Sequence, residues 1–425
     1  MSVDLRTLRR ELHRRPEPAW CEYFTTARIV EELRRLDIDL EEVHVGNDAL
    51  ATEHRIGVPD RADGTAWFKR ARENGAEESV LEKTAAGHTG LVAVLRRGDG
   101  PTVGLRVDID GLPREESDAS DHVPAAEGFR SEHEGSMHAC GHDAHAAIGV
   151  GVIDAIARSD FDGTLKVFFQ PAEEIAGGGK AMAKSGHLDD VDYLLAVHVG
   201  LDHPTGEIVA GIDGFLAVSQ FEATFNGEPA HAGGRPEMGN NAIQALATAV
   251  TNLYGIARHG DGATRVNVGV IEGGTAANII AEEAHMVVEV RGETTPLWEY
   301  VDERARTILD SAAKMHDCTV DVELTGEAPS ATSDCEIADI VASVATDVDG
   351  VDRVLERDTL GGSEDATYLM QEVQNNGGFA CYVGIGTDHP GGHHTATFDV
   401  DETSIDHGVA VLSQTIERLA RDRPN

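Results

Sequence analysis

The sequence predicts an α/β fold in two parts: a discontinuous domain with a mixed sheet flanked by helices, and a smaller domain inserted into it. Three observations predict this. Strand-like and helix-like runs alternate from residue 91 to 200, as in a sheet covered by helices. Near 212 the pattern changes to half-exposed strands in which apolar and polar residues alternate. After 327 the first pattern returns, which places the larger domain at 1–211 and 327–425 and the insert at 212–326.

Taken in order, residues 4–36 read as an amphipathic helix pair. Leu5, Leu8 and Leu12, then Ile29, Val30, Leu33 and Leu36, fall at helical spacing, with Pro16 and Pro18 between them. Residues 46–88 are polar and turn-rich and read as an excursion over the surface. LVAVLRRG (91–98) and TVGLRVDID (102–110) are strands, AHAAIGVGVIDAIA (144–157) is a helix of small residues, and TLKVFFQ (164–170) and DYLLAVHVG (192–200) are buried strands separated by a helix at GGKAMAKSG. In the insert, strand 216–227 carries Phe221, Ala223 and Phe225 on one face. A helix from Asn240 to about Ala257, strands 264–273 and 284–293, a helix at 296–315 and a strand at 318–326 follow. That β-α-β-β-α-β order is the ferredoxin-like arrangement. A helix near 334–348, a helix opened by GGSEDATYLM (361–370), the strand GFACYVGIG (378–386) and a final helix at 402–421 complete the chain.

Charge narrows the function. The 425 residues hold 35 Lys+Arg against 75 Asp+Glu, a net charge of -40. Phosphate neutralisation needs clustered cations, so nucleic-acid binding is excluded, and an anionic membrane surface repels such a chain. With 41% hydrophobic residues the chain can still bury a large core, so the acids belong on its outside. Six of the cations are lysine and the rest arginine. An acidic, lysine-poor surface suits molar salt, where screening lengths shrink to about 3 Å. The expected location is therefore the cytoplasm of a high-salt organism. The N-terminal residues have no apolar h-region, and no run approaches about 18 apolar residues, so neither a secretory signal nor a membrane span is expected. Five cysteines, odd in number and without C-x-x-C spacing, point to a reducing compartment.

Residues suited to metal binding stand at strand ends. Cys140-Gly141-His142 precedes a helix, where the helix N-terminus and a metal both favour a thiolate. The same residues also fit a half-buried cysteine with capping histidines. Glu173 and Glu174 directly follow the nearly uncharged strand TLKVFFQ, the position at which open α/β sheets bind ligands. In so acidic a chain they also read as a solvated loop. His198 lies within an apolar strand, where an imidazole needs a hydrogen bond or a metal. His393 and His394 follow a glycine-rich turn. Each alone fits an ordinary satisfied histidine; four such sites at strand ends of one domain point together to a metal centre.

The segments ELHRRPEPAWCEY, LRVDIDGLP, MHACGHDAH, FFQPAEE, AVHVG, AHAGGRPEMGNNA, RVNVGVIEGG, GGSEDATYLM and GHHTATFDVDE occur in this order from end to end. In them the chain resembles the M20 metallopeptidases, in particular the amidohydrolase branch of hippurate hydrolases, indole-acetyl-amino-acid hydrolases and, above all, the A-type subunit of aminobenzoyl-glutamate hydrolase. The resemblance implies a two-metal centre held by Cys140, His142, Glu174, His198 and His394, with Cys140 as the bridge and Glu173 as general base. It favours manganese, with zinc or cobalt as alternatives. It implies that the insert is a lid and dimerisation domain of a homodimer. There His231 reaches across to the scissile carbonyl, while Asn278 and Arg291 grip the substrate carboxylate. A B-type partner chain is a further implication. One departure is Arg106-Val107-Asp108, where many members of the family carry His-x-Asp; Asp108 is expected behind the ligands or as a folding residue. The implied activity is metal-dependent hydrolysis of N-acyl, aromatic-acyl amino acids such as aminobenzoyl-glutamate. A general aminoacylase or dipeptidase, a non-catalytic metal- or ligand-binding module on the same fold, and a redox-sensing cysteine protein built on Cys140 are the alternatives.

Overall fold

Residues 4–38 and 40–421 are described by the structure, a computed structural model. Two units emerge. The first comprises the residues up to Asp213, Ala331–Leu360 and those from Asp365 onward; the second is Gly214–Ser330 with Gly361–Glu364. The unit boundaries fall two and four residues beyond 212 and 326, and the short segment 361–364 joins the second unit.

The first unit is built on an eight-stranded mixed sheet flanked by helices. Its order is Glu42–Val45, Leu91–Arg96, Thr164–Gln170, Thr102–Asp108, Tyr193–Val199, Phe379–Ile385, Glu207–Val209 and Arg353–Leu355. The third to sixth of these strands run parallel to one another, and Leu91–Arg96 pairs antiparallel with Thr164–Gln170. Thr164–Gln170 and Tyr193–Val199 are buried along their whole length, as expected for parallel strands covered on both faces. The parallel strands carry their carboxyl ends, at Asp108, Gln170, Val199 and Ile385, to one edge of the sheet.

Helix His142–Ala157 packs against the sheet and against Leu5–His13 and Thr403–Arg421. Its small residues permit this close approach: a Cβ at Gly151 would lie 2.5 Å from Val409 and 2.7 Å from Leu5. The helix begins two residues before the alanine-rich run, so that His142 itself lies in the first turn.

Residues 46–88 are more ordered than their composition suggests. Instead of turns they form helices Arg61–Glu73 and Glu78–Thr84. Asp60 caps the first, its carboxylate accepting from the Ala62 and Asp63 N–H groups. A narrow stripe of Trp67, Phe68 and Ala71 packs inward, with the Phe68 ring edge-on to Tyr23 at 5.2 Å. So thin a stripe in a polar segment leaves a weak periodic signal. The buried Trp20 indole donates to the Ile56 carbonyl at 2.7 Å and ties the excursion to the domain. Edge strand Glu42–Val45 is likewise too short to stand out in the sequence.

The second unit is a four-stranded antiparallel sheet in the order Thr264–Gly273, Glu283–Gly292, Ala217–Asn226 and Thr319–Ala328. Phe221, Ala223, Phe225, Met286, Val288 and Val290 cover helices Ala242–Leu253 and Thr295–Met315. The first helix starts at an Asn241 cap and ends at Leu253, short of the expected Ala257. A two-stranded ribbon joins Ala230–His231 to Ile279–Ile280. All five cysteines are free thiols. Among the described residues, no helix is long and apolar enough to cross a membrane.

Candidate metal centre

The carboxyl edge of the sheet gathers the sulfur, imidazoles and carboxylates singled out by sequence. Cys140 and His142 flank Gly141, which caps the helix with φ +88; a Cβ there would lie 2.4 Å from Val199 Cγ2. Glycine is therefore required for thiol and imidazole to turn toward one edge. Cys140 Sγ lies 3.4 Å from His198 Nε2 and 3.5 Å from His393 Nδ1. The His198 Nδ1–H donates to the Val199 carbonyl at 2.7 Å, which directs the Nε2 lone pair at the sulfur. His394 Nε2 lies 3.4 Å from Glu174 Oε2.

Within the first unit four groups of donor atoms converge closely enough to hold a cation: Cys140, His198 and His393; Asp108, His142 and His145; Cys140, Glu174 and His394; and His142, Glu173 and Glu174. Cys140 belongs to two of them and Glu174 to two, whereas Glu173 belongs to neither group that contains the sulfur. Buried His142 Nε2 makes no hydrogen bond and faces Asp108 at 3.5 Å, Glu174 at 3.7 Å and Glu173 at 3.8 Å. A buried ring nitrogen without a hydrogen bond, facing three carboxylates, together with a thiol and further imidazoles, fits a borderline-soft divalent cation.

Of the residues around these donors, Asp110 and His145 are the ones the sequence did not single out. Asp110 accepts from His142 Nδ1–H at 3.2 Å and from the Glu174 N–H at 3.0 Å, joining the two motifs and fixing the His142 tautomer. His145 donates from Nδ1 to Asp108 at 2.5 Å and accepts the Val199 N–H at Nε2, 2.8 Å away. Buried Arg106 donates to Asp108 at 2.7 Å and to Gln170 at 2.9 Å. Asp108 thus bonds His145, is paired with Arg106, and lies 3.5 Å from His142 Nε2, on the side of that ring opposite Asp110. His393 Nε2 accepts the Leu201 N–H at 3.0 Å, leaving Nδ1–H to donate to the sulfur. His394 keeps Nε2 toward Glu174 and has a left-handed φ of +59. Ala172, Ala176 and Leu201 are also left-handed along this edge; such strain persists where surrounding structure fixes it, often at functional sites.

Electrostatics agree with a site made for positive charge. Burial opposes a charge on His142, yet Asp108, Asp110 and Glu174 hold its pKa up at about 10. Burial, reinforced by His145 and His393, pushes His198 well below the ordinary histidine range, and burial with His389 and His394 takes His393 down to about 3. These rings are neutral, the form that ligates metals.

Beneath the edge lies a buried ion cluster. Arg9 donates to Asp143 at 2.7 Å and Asp399 at 2.5 Å, and His13 bonds Asp143 at 2.8 Å and Glu116 at 3.0 Å. Burial and Arg9 lower the His13 pKa, but Asp143 and Glu116 prevail and raise it from 6.5 to about 9. A raised pKa stabilises the fold fully below about 6.5 and loses that contribution as pH climbs through about 9. The melting temperature is expected to fall between these pH values, the cluster giving up at most about 3 kcal/mol. Calorimetry should show a flatter profile for His13→Gln.

In the second unit the ribbon brings His231 beside Asn278: the Ala232 N–H donates to the Asn278 carbonyl at 3.0 Å, and His231 Nδ1 accepts the Gly234 N–H at 2.9 Å. Arg291 is not brought there. It lies toward the far end of strand Glu283–Gly292, roughly 26 Å along at the usual rise, and its guanidinium is held by Glu289 at 2.7 and 3.0 Å.

Known proteins share this chain's sequence and fold. Indole-3-acetyl-aspartic acid hydrolase of Enterobacter agglomerans is 42% identical over 96% of this chain and 94% of its own length. The A-type subunit of p-aminobenzoyl-glutamate hydrolase from Escherichia coli (strain K12) is 40% identical over 98% and 94%. Among solved structures, an aminobenzoyl-glutamate utilization protein from Klebsiella pneumoniae superposes with a TM-score of 0.84 at 33% identity, over 99% of this chain and 97% of its own. A Bacillus subtilis protein described as a dinuclear metal binding peptidase from the M20 family shares the fold, at a TM-score of 0.67 and 23% identity over 98% of each chain. The family profile described as Peptidase family M20/M25/M40 matches residues 104–418, and with relatives this similar the chain belongs to that family and is a hydrolase.

Proposed function

We propose that this hydrolase is a metal-dependent amidohydrolase that cleaves N-acyl amino acids with aromatic acyl groups, such as aminobenzoyl-glutamate or indole-acetyl-aspartate. The observation that carries the reading is the convergence of Cys140, His142, Glu174 and His394 with His198 at one sheet edge, in a chain 40–42% identical to hydrolases of those two amides. These five residues would hold two divalent ions, manganese in preference to zinc or cobalt, with Cys140 serving both. When bound, such ions polarise the amide carbonyl and lower the pKa of the attacking water toward about 7. Glu173 takes the water's proton and passes it to the leaving amine. Asp110 fixes the His142 ring, and Asp108 fixes His145.

The inserted unit, residues 212–326 by the sequence reading, is a ferredoxin-like lid and dimerisation domain; its βαββαβ order and antiparallel sheet support this. Edge strand Thr264–Gly273 exposes Val270 (44%) and Ile271 (55%), an unpaired edge suited to a second copy. In the homodimer His231 serves the partner's scissile carbonyl, and Asn278 and Arg291, which one chain holds apart, bind the substrate carboxylate from different subunits. The Escherichia coli relative, being one of the differing chains of its hydrolase, supports a B-type partner as well. The -40 charge supports a cytoplasm of high salt, which full activity and folding without added salt would contradict.

A substrate panel tests the assignment. Aminobenzoyl-glutamate is expected to give the highest kcat/KM, above hippurate, N-acetyl amino acids and dipeptides; a dipeptide preference would make this a peptidase instead. Arginine pairs bidentately with carboxylates, so Arg291→Ala should raise KM about tenfold for carboxylate-bearing substrates and far less for their amides. Equal changes in both would remove Arg291 from substrate binding.

A further inference from the structure

Beside Glu174 lies a cavity of about 390 Å³, within the range of about 300–1,000 Å³ typical of small-molecule sites. Its walls come from four separate pieces of the first unit: the loop before helix Tyr23–Arg35, the excursion, the segment after Asp110, and Ile175. Leu112, Pro113, Pro18 and Ile175 make it apolar. Trp67 forms one wall and is held from behind, its ring edge-on to His133 at 5.1 Å and under the Arg70 guanidinium at 4.3 Å. His133 in turn bonds the Pro16 carbonyl at 2.9 Å. Asp63 and Glu174 are the two carboxylates of the lining. Asp63 stands four residues before Trp67 on the same helix and so shares its face. The Asp63 side chain is exposed and makes no ion pair among the described residues.

We propose that this cavity receives the acyl group of the substrate, and that Trp67 and Asp63 select flat aromatic acyl groups carrying an N–H donor. The inference rests on the amidohydrolase reading above. An aromatic ring gains both burial and offset stacking against Trp67. A carboxylate at the rim accepts a hydrogen bond from an aryl amine or an indole N–H and offers nothing to an unsubstituted benzoyl group. Because Glu174 lines the same cavity, an acyl group seated there presents its carbonyl carbon to the candidate metal centre. The excursion thereby acquires a role: it supplies the specificity wall.

Binding separates this proposal from the catalytic one. In the manganese-loaded full chain bearing Glu173→Gln, calorimetry gives Kd for p-aminobenzoyl-glutamate, benzoyl-glutamate and N-acetyl-glutamate. The order of affinity expected is aminobenzoyl, benzoyl, acetyl. Adding Trp67→Ala should shrink the benzoyl-to-acetyl preference about tenfold. Adding Asp63→Asn, an exposed substitution that leaves the core untouched, should shrink the aminobenzoyl-to-benzoyl preference about tenfold. Preferences that stay within about twofold in both variants, or an aryl preference absent from the start, overturn the proposal. If the preferences change as expected while manganese-loaded wild-type protein releases no aminobenzoate, the pocket stands and the aryl-amide amidohydrolase reading falls.

Discussion

Glu173→Gln is expected to lower kcat for aminobenzoyl-glutamate by about 10²–10⁴-fold while leaving metal content unchanged. The reason lies in how two adjacent carboxylates divide their surroundings. Glu174 is fixed by its own N–H bond to Asp110 and shares donor groups with Cys140, His142 and His394. Glu173 approaches His142 at 3.8 Å and belongs to neither group containing the sulfur. The proposed mechanism therefore assigns the cation to Glu174, which meets it beside the sulfur, and the proton to Glu173. Glutamine keeps the shape and hydrogen-bonding reach of Glu173 but cannot accept a proton at neutral pH. KM should change little, since the interaction lost develops during proton transfer. Elemental analysis beside steady-state kinetics checks the result; loss of metal in step with loss of rate would turn Glu173 into a ligand.

Cys140→Ala is expected to abolish measurable turnover and to leave fewer than two ions per chain. Sγ is the atom shared by the His198 group and the Glu174–His394 group, so its removal breaks both at once. A serine should not rescue it, because an alcohol does not ionise at neutral pH as a thiol beside metal and helix N-terminus does. His394→Ala should be milder in metal loss, since it leaves the sulfur and His198 in place. His393→Ala should be milder still, because its Nε2 is already committed to the Leu201 N–H. Metal stoichiometry in the four variants, measured after dialysis against manganese, tests this ordering; two ions retained in Cys140→Ala would refute the bridging role.

The candidate ligands were legible from local context: Glu173 and Glu174 directly follow an apolar strand, His198 lies within one, Cys140 and His142 open a helix of small residues, and His394 follows a glycine-rich turn. Asp110 was not, although it sits two residues beyond Asp108, since one more acid among 75 carries little information. His145 had a usable signal: it lies one helical turn after His142 and so shares its face. The surroundings of Asp108, with Arg106 and His145 beside it, depend on strand register and helix placement that the sequence does not show. In the fold, long buried strands and amphipathic helices showed in the periodicity, whereas Glu42–Val45 and the helices of the excursion did not. The acyl cavity was beyond reach for a different reason: residues as distant as Pro18 and Ile175 form one wall only after folding. Arg291 shows the converse limit: residue type alone does not disclose the strand length, roughly 26 Å, between it and the end of its strand nearer Asn278.

The most direct measurement is hydrolysis of p-aminobenzoyl-glutamate by chelator-treated protein at molar salt, before and after adding manganese. The account predicts no activity in the stripped protein and restoration by manganese to a rate that saturates near two ions per chain. Full activity in the stripped protein, or none in the loaded protein across zinc and cobalt as well, would contradict it.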